Sequence, residues 1–257
     1  MTEHIHPTAL VSESAQIGAD TTIGAYSIIG PHVCIGAHCT IHPHVVIEGR
    51  TTLGDGNEVF QFASLGSNPQ DLKYHGEPSE LRIGSRNIIR EYVTLQPGTE
   101  GGGMLTSIGD NNLFMVSSHV GHDSHIGDGN ILANSVGISG HVMIGNKVTI
   151  GGLVGIHQFV RLGDFSFLAG GAMVSQDIPP YCLAHGNRAE LIGLNHIGLK
   201  RAGWDSDTIA VMRRVYRKIF LGSGVLQQKL QRAREEFGTE LFVAPFLDFI
   251  ASSERGV

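Results

Sequence analysis

Ile138-Ser139-Gly140-His141-Val142-Met143-Ile144-Gly145-Asn146-Lys147-Val148-Thr149-Ile150 returns an aliphatic residue at every sixth position, with glycine close behind. The same phase runs back through Leu132, Ile126, Val120, Phe114 and Ile108, and forward through Ile156, Leu162, Leu168 and Val174. A separate run holds Val11, Ile17, Ile23, Ile29, Ile35, Ile41, Ile47, Leu53, Val59 and Leu65, and a shorter one Ile83, Ile89 and Leu95. A period of six matches neither the helix nor the alternating strand. It predicts a solenoid in which each hexad forms one side of a coil, points its aliphatic residue inward and turns at a corner that glycine eases.

Composition agrees. The 257 residues include 35 glycines, with 41% hydrophobic and only 7% aromatic residues, which describes aliphatic rows separated by tight turns. Cys34, Cys39 and Cys182 lack the paired spacing of a zinc site or disulfide framework and read as reduced, buried thiols. The start, Met1-Thr2-Glu3-His4-Ile5-His6-Pro7, has no basic and apolar leader pattern, and no run approaches the roughly 18 apolar residues of a spanning helix. A cytoplasmic protein without a transmembrane segment is expected. The net charge of −6 divides into −9 over residues 1–195 and +3 over 196–257. This argues against nucleic acid as a partner and leaves Arg213, Arg214, Arg217 and Lys218 to receive an acidic one.

The hexads resemble those of the left-handed parallel β-helix acyltransferases, in which three hexads make one triangular coil. The expected fold is therefore all-β, a left-handed parallel β-helix with a C-terminal α-helical segment, its hand taken from the resemblance. The solenoid is expected over 1–190, with inserted loops near 71–82 and 99–107, and a helical domain over 191–257. From Asp205 the spacing of Ile209, Met212, Tyr216 and Ile219 is that of a helix, and Val225 to Phe237 and Pro245 to Ala251 read as two more.

Residues 18 apart should then stack one coil upon the next, about 4.8 Å apart. In Ser118-His119-Val120-Gly121-His122-Asp123-Ser124-His125 this register sets Gly140 beside His122, Gln158 one coil further and His141 on Asp123, with His157 adjoining. An imidazole next to a carboxylate can serve as a general base whose tautomer the carboxylate holds. The series His119-x-x-His122-x-x-His125 looks like a ligand set, but offsets of three in a coil alternate direction and turn a corner, so the three do not converge within one chain. No metal or other cofactor is expected. Zinc shared between subunits, as in β-helix carbonic anhydrases, is the alternative chemistry. His32, His38, His42, His44 and His125 read as surface turn residues.

Longer segments carry a narrower resemblance: Gln61 to Gly66, Gln70-Asp71-Leu72-Lys73-Tyr74-His75-Gly76-Glu77-Pro78, His119 to Asp123, Ser139 to Val142, His157-Gln158-Phe159, Gln176 to Tyr181, Gly198 to Arg201 and Ser253-Glu254-Arg255-Gly256. They closely resemble the UDP-N-acetylglucosamine acyltransferases of lipid A synthesis, nearly end to end. That resemblance implies attack of the sugar 3-hydroxyl on a 3-hydroxyacyl thioester borne by acyl carrier protein, with His122 as base, Asp123 orienting it and the Gly140 N–H stabilising the oxyanion. It further implies that Gln70, Asp71, Lys73, His119, His141 and Gln158 hold the sugar nucleotide, and that Asn195 and Arg201 reach its uridine and phosphate end. His157 would contact acceptor or pantetheine, Phe167 and Gly170 would set acyl length, and the molecule would be a homotrimer. Ile197, Ala202 and Gln96-Pro97 depart from the family pattern. They raise a second acceptor, a 3-amino analogue of the sugar acylated on nitrogen.

Overall fold

Most hexads fold as a two-residue strand and a turn, and every third strand pairs in parallel with its counterpart one coil on. In the computed structural model, which describes residues 4–257, this produces a left-handed parallel β-helix whose faces are sheets of nine, eight and ten strands. The first face runs from Leu10–Val11 to Met173–Val174, the second from Gln16–Ile17 to Arg161–Leu162. The third starts at Thr22–Ile23, continues to Phe167–Leu168, and then takes up Cys182–His185 and the antiparallel strand Glu190–Leu194.

The sixth-position residues fill the prism. Val120, Ile138 and Ile156 from the first face, Ile126, Ile144 and Leu162 from the second, and Leu132, Ile150 and Leu168 from the third are all buried. At the corners the chain repeatedly enters the left-handed region without glycine, as at Asp123 (φ 58°), His141 (φ 61°) and Phe159 (φ 65°). Each such residue costs about 1–2 kcal/mol, which the stacked ladders on either side must offset. One ladder lies inside the prism. Asn87 donates through Nδ2 to Asn57 Oδ1 and Gly109 O, while its own Oδ1 accepts from the backbone and side-chain amides of Asn112. Asn112 Oδ1 in turn accepts from Asn130 N. The ladder crosses both interruptions of the repeat.

Those interruptions appear in the register: Leu65 pairs with Leu95, 30 positions on, and Leu95 with Val120, 25 positions on, where 18 is the rule. The added residues leave the corner between the first and second faces, before the strands Glu80–Ile83 and Leu105–Ile108. The second excursion contains a 3-10 turn at Glu100–Gly102 and, for all its glycines, packs inward on Asp123.

After the coil come α1 (His196–Arg201), α2 (Ser206–Phe220), α3 (Leu226–Phe237) and α4 (Val243–Ala251). The Asp205 carboxylate caps α2 by accepting from Thr208 N at 2.7 Å. Ile209, Met212, Tyr216 and Ile219 are buried as their spacing predicts. The hairpin Cys182–His185/Glu190–Leu194 and the short α1 had no signal in the sixfold phase, which Pro179-Pro180 ends.

Candidate active site

His122 and Asp123 occupy the corner between the first and second faces, where the chain leaves the strand His119–Val120. His122 Nδ1 lies 2.8 Å from Asp123 Oδ2, and both residues are buried. The other ring nitrogen, Nε2, faces Asp71 Oδ2 across 3.9 Å. That gap is too long for a direct hydrogen bond, and a hydroxyl entering from the side could bridge the two atoms. The ring rests against Gly140, where a Cβ would come within 2.6 Å of Nε2. Only glycine lets the imidazole and the next coil approach so closely.

The Asp123 carboxylate is held from the second excursion. Thr99 donates to it twice, from N to Oδ1 at 2.8 Å and from Oγ1 to Oδ2 at 2.6 Å. Gly98 and Gly102 flank it so tightly that a Cβ at either would collide with the carboxylate. Asp123 N donates to Thr106 Oγ1. These donors fix the carboxylate in place, and it presents Oδ2 to the imidazole.

The coil geometry also leaves a backbone donor free at this corner. At the corner between the second and third faces, the first turn residue of successive coils donates its N–H to a side chain of the next coil: Ala37 to Asp55 Oδ1, Asp110 to Asp128 Oδ1, Asn146 to Asp164 Oδ1, each at 2.7 Å. Gly140 occupies the equivalent turn position at the corner that carries His122. Among the described residues no backbone or side-chain acceptor takes its N–H. The same geometry that binds a carboxylate oxygen elsewhere is thus open beside His122.

From this corner a groove of about 640 Å³ runs along the first face. His119, Gln70, Gln96, His157 and Gln158 border it. His119 Nδ1 pairs with Thr94 Oγ1 at 2.7 Å, and burial holds its pKa below the ordinary histidine value. His141 stands edge-on to His122 at 5.0 Å and stacks on Phe159 at 4.5 Å; burial lowers its pKa too, against the opposing pull of Asp123. Lys73 lies near enough to His141 to disfavour its cation. Gln96, where the sequence departs from the family pattern, is buried and accepts from Gln70 N at 3.1 Å, so it ties the first excursion to the coil.

Not every predicted residue reaches this groove. Phe167 and Gly170 lie on the third face and the turn after it, outside the lining. Asn195 is spent within the fold: it accepts from Gly198 N as the cap of α1 and donates to Phe165 O. Arg201 closes α1 away from the groove. His125 projects from the second face and pairs with Ser107 Oγ at 2.7 Å. The ligand-capable cluster among the described residues is His122, Asp123 and His141, with atoms within 4.8 Å of one another, rather than the series of three histidines. Conversely, sequence reasoning missed Thr99 and the groove floor. The outward positions of the first face read His119, Gly137, Gly155, Met173 in register, so two glycines leave a trough that Met173 closes. The 18-residue register, applied to outward positions, contains that signal.

Comparison with known proteins bears on all of this. A family model described as UDP-N-acetylglucosamine O-acyltransferase, domain 2, matches residues 177–257, and a bacterial transferase hexapeptide model matches residues 14–49. The acyl-[acyl-carrier-protein]–UDP-N-acetylglucosamine O-acyltransferase of Myxococcus xanthus is 51% identical over 253 residues, 98% of each chain. The crystal structure of LpxA from Acinetobacter baumannii superposes with a TM-score of 0.95 at 44% identity, covering 98% of both chains. The UDP-N-acetylglucosamine acyltransferase from Campylobacter jejuni gives 0.94 at 38% over the same share. The chain belongs to the acyl-[acyl-carrier-protein]–UDP-N-acetylglucosamine O-acyltransferase family.

Proposed function

We propose that this acyltransferase moves a 3-hydroxyacyl chain from acyl carrier protein to the 3-hydroxyl of UDP-N-acetylglucosamine, the first step of lipid A synthesis, with His122 as general base. The observation that carries the assignment is the alignment of Asp123 Oδ2, His122 Nδ1 and an outward-facing Nε2 beside the unpartnered Gly140 N–H. The sugar hydroxyl between His122 Nε2 and Asp71 Oδ2 gives its proton to Nε2 as its oxygen attacks the thioester carbon. Asp123 steadies the imidazolium, and the Gly140 N–H receives the charge that develops on the carbonyl oxygen. Collapse of the tetrahedral intermediate expels the pantetheine thiolate, which recovers the proton from His122. No side-chain nucleophile or metal takes part.

Gln70, Asp71, Lys73, His119, His141 and Gln158 hold the sugar nucleotide in this reading, and His157 meets acceptor or pantetheine. The alkyl chain lies over Gly137 and Gly155 toward Met173. Arg201, Phe167 and Gly170 act from neighbouring copies in a homotrimer, which suits a prism with three flat faces; Asn195 contributes by fixing α1. The acidic carrier protein docks on the C-terminal helices. Arg213 and Arg217 are exposed there, whereas Lys218 is engaged by Glu236. We assign the reaction to the cytoplasm, where acyl carrier protein is charged; among the described residues no helix is long and apolar enough to cross a membrane.

Family membership sets aside the carbonic anhydrase alternative, and the relatives' names favour the hydroxyl acceptor over the 3-amino analogue. The test is to offer purified protein both nucleotides with 3-hydroxyacyl carrier protein. The expected product is a base-labile ester on the ordinary sugar nucleotide. Turnover of the 3-amino nucleotide alone, giving an amide, would overturn the assignment of acceptor.

A further inference from the structure

Residues 252–256 return from α4 to the last coil and are tied there at several points. Ser253 Oγ donates to Asp177 Oδ2 at 2.8 Å, and Asp177 N donates to Gly256 O at 2.9 Å. Arg161 donates to Ser252 O and to Phe249 O, each at 3.2 Å, and its Nε lies 3.8 Å from Asp177. This strap directs Arg255 toward the substrate groove. Arg255 Nε donates to Ser175 O at 3.1 Å, and its Nη2 lies 3.3 Å from His157 Nδ1. Ser175 and His157 both line the groove that holds His122.

Two features separate this arginine from one that merely pins a tail. Ion pairs of arginine among the described residues involve Arg82, Arg86, Arg90, Arg161 and Arg234, so no carboxylate of the described residues lies within 4.0 Å of the Arg255 cation. Its guanidinium also has five N–H donors, of which the contacts to Ser175 and His157 use two. A half-buried, unneutralised fork at the edge of a substrate groove is the arrangement that recognises a phosphate.

We propose that Arg255 is a phosphate-binding residue of this site, presented by the C-terminal strap. The inference rests on the acyl-transfer reading above, in which both substrates carry phosphate: the phosphopantetheine of the donor and the diphosphate of the nucleotide. The same N–H fork serves either.

Steady-state kinetics of wild type, Arg255→Gln and Arg255→Lys, varying each substrate in turn, test it. Arg255→Gln should raise KM for one substrate about tenfold or more while kcat stays within about threefold, since a hydrogen bond to a charged group is lost in binding. Arg255→Lys should recover part of that loss. If the partner is the donor's phosphate, the variants should match wild type with acyl-pantetheine lacking the phosphate. If it is the diphosphate, the KM for UDP-N-acetylglucosamine should move instead, and inhibition by UDP should weaken in parallel. Unchanged KM values for both substrates would overturn the proposal, and so would a lower melting temperature with no change in either KM. A wild-type protein inactive on both nucleotides would refute the acyl-transfer reading itself, before Arg255 is reached.

Discussion

Thr99 lies outside the groove lining, yet it holds the carboxylate that orients His122. Its two hydrogen bonds hold both oxygens of Asp123, so the carboxylate is fixed with Oδ2 turned to His122 Nδ1. Losing the hydroxyl would leave a buried carboxylate short of a donor, a cost of about 1.5–3 kcal/mol. Thr99→Val should therefore lower kcat about tenfold or more with little change in KM, and Thr99→Ser should restore most of it. If Val and Ser variants were equally impaired, the shape of the side chain rather than its hydroxyl would be what matters. The base and its carboxylate were legible in the sequence because they adjoin. Thr99 was not, because it arrives from an excursion of irregular length, where the 18-residue register no longer says which residues meet.

At the scale of elements, the sixfold phase made the coil legible strand by strand, since each inward position must be apolar in a prism this narrow. It did not reveal the hairpin Cys182–His185/Glu190–Leu194, where pairing turns antiparallel. Nor did glycine content distinguish a mobile loop from one packed on a carboxylate: Gly98 and Gly102 are small because Asp123 is close. The asparagine ladder is the element that carries the coil across both excursions. Asn87 sits in its middle, fully buried, with partners on both sides. Replacing it by alanine leaves the Asn112 amide and Gly109 O unpaired in the interior. A loss of about 2–4 kcal/mol in denaturant unfolding is expected, against under about 0.5 kcal/mol for Gln227→Ala on the exposed side of α3. A loss below about 1 kcal/mol at Asn87 would mean that the ladder does not support the coil.

Taken as a whole, the molecule is a rigid prism that assembles a site from residues distant in sequence. Asp71 and Thr99 come from two excursions, His122 and Asp123 from one corner, and Gly140 and Gln158 from the next two coils. Stacking brings these residues together, so periodicity alone sets Gly140 and Gln158 beside His122 and Asp123, whereas a role for Gly140 as oxyanion donor is what the family resemblance implies. What periodicity could not convey is where α1 and the hairpin before it lie, because the sixfold phase ends at Pro179-Pro180. The central claim is that His122 removes the proton from the acceptor hydroxyl. Its most direct test is single-turnover acyl transfer by His122→Gln, with binding of UDP-N-acetylglucosamine measured on the same protein. The account predicts that the rate falls by about 10²–10⁴-fold while nucleotide affinity stays within a few fold; transfer within tenfold of wild type would contradict it.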